Sequence, residues 1–377
     1  MFELMLNELN QELMNPIPGD ILPLLALSFM TVSGIIVCIF KTRWFSIIMV
    51  LAQTINILSL LLLSVYMMVG SSLIHLSVYL HPFFPLVLLS LLFLGCGAQF
   101  TQTFSCAANL SNQYMAAIFI GMGVGVCVAV LCQLFCLIIS TDTFGMETIT
   151  EHTSAIYVLI LVLAFALASA DLYLALPLAR YYQEEQVKQR RSIKLEKEMK
   201  RKMRQFSIRY EKENGGCCRG WWRKFAIFFN MFGQSFITFL AFPFIFKDVV
   251  YSTIDQAHLF PVMFSFLPHS LLFSLGALIS CSTPSPPSWC WSISIVRITF
   301  IPLFLLSKFG ENRYLPVIMW DWSYILISVI WSTLGGYCIT SAAYISRSKW
   351  MGGYCLLGML AGSIVSVLLK FIIVSNQ

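Results

Sequence analysis

The sequence predicts an all-α polytopic membrane protein with about ten transmembrane helices in two halves, and three observations carry that reading. Of 377 residues, 58% are hydrophobic and only 11% are charged, with a mean hydropathy of +0.79. Soluble domains run about 45–50% apolar and about 25% charged, and a soluble core stops growing at roughly 250–300 residues. The second observation is a succession of apolar stretches near the ~20 residues a helix needs to cross a bilayer. The third is the placement of charge. The segment from Arg180 to Lys224 holds fifteen of the 24 Lys and Arg but six of the 18 Asp and Glu, so it carries +9 and the rest of the chain −3. A soluble enzyme, a secreted disulfide scaffold and a disordered chain are excluded. The net charge of +6 is not a nucleic-acid signature, because it resides in this one segment.

Taken in order, the spans fall at 20–40, 45–69, 82–108, 114–139, 154–178, 225–246, 258–282, 289–307, 317–345 and 350–374. The third is longer than a bilayer requires and contains Gly95 and Gly97, so tilt or a kink is expected there. The eighth is the weakest candidate, because it carries Arg297. Residues 1–19 have no basic start and no small-residue cleavage site, so a signal peptide is not expected. Phe2, Leu6, Leu9 and Leu13 follow helical spacing and predict an interfacial segment. The organisation expected is therefore an N-terminal segment (1–19), a five-helix lobe (20–180), a basic cytoplasmic loop (181–224) and a second five-helix lobe (225–377).

Lys and Arg near span ends stay on the cytoplasmic side. Lys41 with Arg43, the 180–224 segment, and Arg347 with Lys349 then all face inward when the first span runs outside to inside. Glu3, Glu8, Glu12, Asp20, Asp142, Glu147 and Glu151 face outward, and both termini are non-cytoplasmic. Within the loop, Glu184–Lys188, Glu196–Lys200 and Glu198–Lys202 are i,i+4 pairs that favour helix. Its basic residues suit the anionic lipid of the inner leaflet. The plasma membrane is the expected location.

Ionisable groups inside spans are expensive and mark function or a satisfied ion pair. Asp171, Asp321 and Lys370 are candidates for gating or structural ion pairs. Arg297 sits mid-span, and its two readings are an ion pair and a contact to solute. His269 lies mid-span next to Ser270 and reads better as a structural histidine. The third span is the most polar, with Gln99, Thr101, Gln102, Thr103 and Ser105. Uncharged amides in a bundle either bind a neutral polar solute or bond neighbouring helices together; their clustering favours the first. The twelve cysteines lie scattered through apolar runs without metal-ligand spacing. No zinc-protease helix motif, phosphate-binding loop or dinucleotide glycine string is present, so neither an enzyme nor a cofactor is expected.

Several stretches, in chain order, resemble the equilibrative nucleoside transporter family. They are Gly97-Ala98 with the Gln/Thr run, Tyr114 with Gly121-x-Gly123, and Tyr173-Leu174-x-Leu176-Pro177 leading to Arg180-Tyr181-Tyr182. Phe242-Pro243, Arg297-Ile298-x-Phe300-x-Pro302-Leu303, Asn312-Arg313-Tyr314, Asp321, Gly336-Tyr337, and Leu357-Gly358 through Ala361-Gly362 to Lys370 continue the series. The resemblance covers roughly residues 20–377. It implies a fold similar to the major facilitator superfamily, a central cavity, and facilitated movement of nucleosides or nucleobases by alternating access. The family's cavity glutamine falls at Thr101 or Gln102. With Gln99, Phe266, Ser270 and Arg297 these complete the candidate solute-binding set.

Two departures stand out. Five spans rather than six precede the loop, so the family's first helix, with its Pro-Trp-Asn signature, has no counterpart in this sequence. The family's Phe-x-x-x-Asn-x-x-Asp-x-x-Gly-Arg pattern matches Phe266, Ser270, Phe273, Gly276 and Ala277, which removes both the acid and the base. The competing expectation is accordingly a non-transporting membrane scaffold or regulator.

Overall fold

The computed structural model describes residues 21–39, 45–73, 83–108, 112–144, 147–175, 216–242, 266–283, 287–306, 321–346 and 350–375, with residues 183, 184, 187 and 348. Among these, regular structure is helical throughout. The helices are α1 (Ile21–Ile39), α2 (Phe45–Leu73), α3 (Phe83–Ala108), α4 (Asn112–Phe144), α5 (Glu147–Ala175), α6 (Gly216–Ala241), α7 (Leu267–Ser282), α8 (Pro287–Leu306), α9 (Asp321–Ile345) and α10 (Met351–Ser375). Helices are what lipid demands, because each one satisfies its own backbone hydrogen bonds where water cannot. Five are long and apolar enough to cross a bilayer by themselves, within Ile47–Tyr66, Phe84–Ala108, Tyr114–Cys132, Ser323–Ile345 and Met351–Leu369. The apolar parts of the other five are shorter. At 29 residues, α2 is about 43 Å long at ~1.5 Å per residue, more than the ~30 Å hydrocarbon core.

Each expected span overlaps one described helix, although residues 258–265, expected to open the seventh, lie outside the described residues. A clear boundary difference is α6, which begins at Gly216 inside the basic segment. Arg219, Arg223 and Lys224 depress hydropathy without interrupting the helix, since long basic side chains near a span end can reach the interface. The interfacial segment 1–19 and most of the basic loop lie outside the described residues.

Large apolar side chains cover the outside. Leu58, Leu61 and Val65 of α2, Phe165 and Leu172 of α5, and Ile295 and Val296 of α8 are all exposed. Such a surface would aggregate in water; in lipid it costs nothing. Packing inside rests on close backbone approach instead. In α7 and α9, Gly276 abuts the Thr333 carbonyl and Gly336 abuts the Phe273 carbonyl, so a Cβ at either position would strike backbone. The two glycines of α3 serve the same end, Gly97 against Met30 of α1 and Gly95 against Asn56 of α2.

The helices sort into two sets. In the first, α3 packs on α1 and α2, α2 packs on α5, and α5 packs on α4. In the second, α6 packs on α10, α9 and α8, while α9 packs on α7 and α8. Among the described residues the sets are joined chiefly by α4 with α7, α1 with α10, α3 with α10, and α4 with α9.

The apolar cores are distributed unequally along the helices. At the end from which the basic loop leaves, one cluster includes Phe104 (α3), Met115 and Phe119 (α4), Met231 (α6), Phe273 and Ala277 (α7), Ile339 (α9) and Leu356 (α10), and so spans both sets. Phe104 meets Phe119 edge-on at 5.2 Å. Two hydroxyls bridge the seam as shared donors: Thr31 Oγ1 lies 2.6 Å from the Leu27 carbonyl and 3.4 Å from that of Leu356, and Ser274 Oγ lies 3.0 Å from the Ser270 carbonyl and 3.2 Å from that of Ile120. Toward the opposite end each set has its own core. Leu60, Leu63, Leu88, Leu89 and Leu159 form one, and Leu240, Ile301, Phe304, Tyr324 and Trp331 belong to the other.

Candidate functional site

The polar run of α3 is divided among several neighbours. Gln99 Oε1 accepts a hydrogen bond from Asn56 Nδ2 at 3.0 Å, which ties α3 to α2. Thr103 returns its hydroxyl to the Gln99 carbonyl at 2.8 Å. Thr101 is fully buried and lies against Gly34 of α1 and Gly352 of α10, with no partner for Oγ1. Gln102 is 1% exposed, yet neither its Oε1 nor its Nε2 has a hydrogen-bond partner. A buried polar group left unpaired costs roughly 1–3 kcal/mol. Gln99 thus has a partner on a neighbouring helix, and Gln102 has none among the described residues.

Across the seam, α7 begins at a proline-containing first turn whose N-cap is Phe266. Phe266 is half-buried and meets Phe242 edge-on at 5.4 Å. Ser270 is buried; its hydroxyl donates to the Leu267 carbonyl (2.9 Å), and its own carbonyl faces Gly123 of α4. His269, one residue earlier, turns into the second set, where it stacks on Phe242 at 4.0 Å and places Nδ1 2.6 Å from Ser332 Oγ. Phe273 and Ala277, at the positions matching the resembled family's Asp and Arg, both belong to the shared apolar core.

Arg297 of α8 is fully buried among α6, α8 and α9. Its guanidinium lies 4.3 Å from the ring centroid of Trp331, and Nη2 donates to Thr238 Oγ1 at 3.2 Å. The Trp331 indole N–H in turn donates to the Arg297 carbonyl (3.2 Å). A Cβ at Gly335 would fall 2.7 Å from Nη2, so the guanidinium lies close against α9 at a glycine and would have to shift for any larger residue. Nε and Nη1 have no hydrogen-bond partner, and among the described residues no carboxylate pairs with the group. A cation–π contact supplies about 0.5–2 kcal/mol, whereas a buried ion is penalised by several kcal/mol even after relaxation. No described carboxylate completes the ion-pair reading of Arg297, and the Asp321 side chain lies outside the described residues.

One turn from Arg297, Ser294 shares its hydroxyl between the Cys290 carbonyl (2.6 Å) and Gln234 Oε1 (2.7 Å). Gln234 is fully buried and its Nε2 has no partner. Gln234, Thr238 and Trp331 were not marked by sequence reasoning. Asn230, Gln234 and Thr238 do form an i,i+4 polar stripe in an otherwise phenylalanine-rich helix, a legible signal. Trp331, 34 residues from Arg297, offers none.

The candidate residues thus fall into separate neighbourhoods. Thr101 and Ser270 lie at contacts between the two sets, Gln99 within the first, and Arg297 within the second. Asp171 is exposed on α5 and makes no ion pair with a described residue. The side chains of Asp321 and Lys370 lie outside the described residues.

A comparison with curated proteins finds no match. The family model described as nucleoside transporter matches residues 88–371, from α3 to near the end of α10. That match covers most of the chain, including the α4–α7, α3–α10 and α4–α9 contacts between the two helix sets but not α1, and the chain belongs to the nucleoside transporter family.

Proposed function

We propose that the protein moves nucleosides or nucleobases across the membrane passively, by alternating access between two five-helix lobes, 20–180 and 225–377. One observation carries the mechanism: the lobes share a core at the basic-loop end and keep separate cores toward the other. In this reading the basic-loop end is cytoplasmic and closed, the opposite end is the entrance, and both termini are non-cytoplasmic. The plasma membrane is the proposed location, with anionic inner-leaflet lipid holding the basic loop.

Solute recognition is assigned to Gln102, whose amide offers both a donor and acceptor with no internal partner. Thr101, Ser270 and Phe266 are proposed to flank the path. An uncharged amide suits a neutral solute, since it exchanges hydrogen bonds with water for hydrogen bonds with a base or sugar and desolvates no charge. Uptake of labelled uridine and adenosine by expressing oocytes tests the proposal. Flux above that of water-injected cells is expected; flux at the control level with protein at the surface overturns it.

A non-transporting scaffold is the second reading. The apolar Phe273 and Ala277 favour it, since they occupy the positions matching the family's acid–base pair and join the lobes together. The same uptake measurement separates the two.

A further inference from the structure

Among the described residues, the Arg297 charge has no carboxylate as its complement. The guanidinium is permanently protonated, fully buried and held by α6, α8 and α9 within one lobe. Trp331 covers its face at 4.3 Å and Thr238 takes one of its donors. Nε and Nη1 remain, and no described carboxylate is paired with them. Water would satisfy the donors but not the charge. The donors that remain, the planar fork and the aromatic wall match a compact anion that accepts hydrogen bonds.

We infer that Arg297, with Thr238 and Trp331, forms a binding site for a small inorganic monoanion with the chemistry of chloride, enclosed in the C-terminal lobe. The anion is a resident counter-charge and not the transported solute. Its role is to complete the α6–α8–α9 packing, so the state it stabilises is the folded lobe. Gln234 and Ser294 continue the polar seam one turn away. The inference does not rest on the transport proposal, and its test needs no uptake.

The test is thermal unfolding of the purified full chain in detergent, with chloride exchanged for gluconate at constant ionic strength. The unfolding midpoint is expected to rise with chloride and to saturate, as mass action requires of an anion that binds only the folded state. Arg297→Met removes the charge with little change in shape. It should fold, be at least as stable as the parent in gluconate, and lose the chloride response. Arg297→Lys keeps the charge but not the fork, and its half-saturating chloride concentration should rise about tenfold. Iodide, a fluorescence quencher, should show a saturable component that both Trp331→Phe and Arg297→Met abolish. Equal midpoints in chloride and gluconate, or a chloride response that survives Arg297→Met, overturns the inference.

Discussion

The two ends of this helix bundle bury apolar side chains in different ways. Toward the end opposite the basic loop, Leu63 and Leu89 pack within the first lobe, and Phe304 and Trp331 within the second, so each lobe stabilises itself. At the basic-loop end Phe104, Phe119, Phe273 and Leu356 come from both lobes and none is complete without the other. Lipid is as apolar as leucine, so neither core forms to escape water; each forms by shape fit and close backbone approach. A core within a lobe can persist while the lobes move relative to one another. A core between lobes cannot, and is the part that must break for the basic-loop end to open. In the proposed mechanism, the major-facilitator-like fold would carry its rigidity and its gate in different places.

Truncating the shared core should have the largest effect. Phe104→Ala is expected to cost about 3–5 kcal/mol, and Leu63→Ala about 2–5 kcal/mol. Labelling of the buried Cys355 by a thiol reagent applied at the basic-loop end should rise for the first variant and stay at the parental level for the second. Similar labelling in both would erase the distinction between the cores. Smaller is the contrast between two amides of α3. Gln102→Leu should lower solute uptake about tenfold with expression intact, as expected for one lost solute hydrogen bond. Gln99→Leu removes the bond to Asn56. It should lower stability by about 0.6–1.7 kcal/mol and leave uptake per folded molecule unchanged. Reversed outcomes would exchange the roles of the two residues. Smallest is Thr31→Val, which removes one long hydrogen bond across the seam; a loss of about 0.6 kcal/mol in thermal stability is expected.

The ten helices were legible because a bilayer imposes a length and a hydropathy on each, and both are local properties of sequence. The start of α6 was not, since Arg219, Arg223 and Lys224 read as loop by charge while their backbone is helical. Partners were the least legible. The helical spacing of Gln99 and Gln102 put both on one broad side of α3, but nothing local distinguishes the amide that meets Asn56 from the one that meets nothing. Arg297 was visible as an intramembrane cation, while Trp331 and Thr238, which receive it, come from other helices. Replacement of an acid and a base by Phe273 and Ala277 was read from resemblance as a loss. In the fold it is also a gain of apolar contact across the gate.

Solute can pass in this reading only if the basic-loop end opens. Ser274 Oγ lies 3.2 Å from the Ile120 carbonyl across the seam, so α7 and α4 approach there within the span of a short bifunctional thiol reagent. Uridine uptake by Ile120→Cys/Ser274→Cys protein should fall to background after treatment with a bifunctional maleimide carrying a disulfide in its linker and return when that linker is reduced, while either single variant keeps its uptake. Unchanged uptake by fully cross-linked protein would contradict the account.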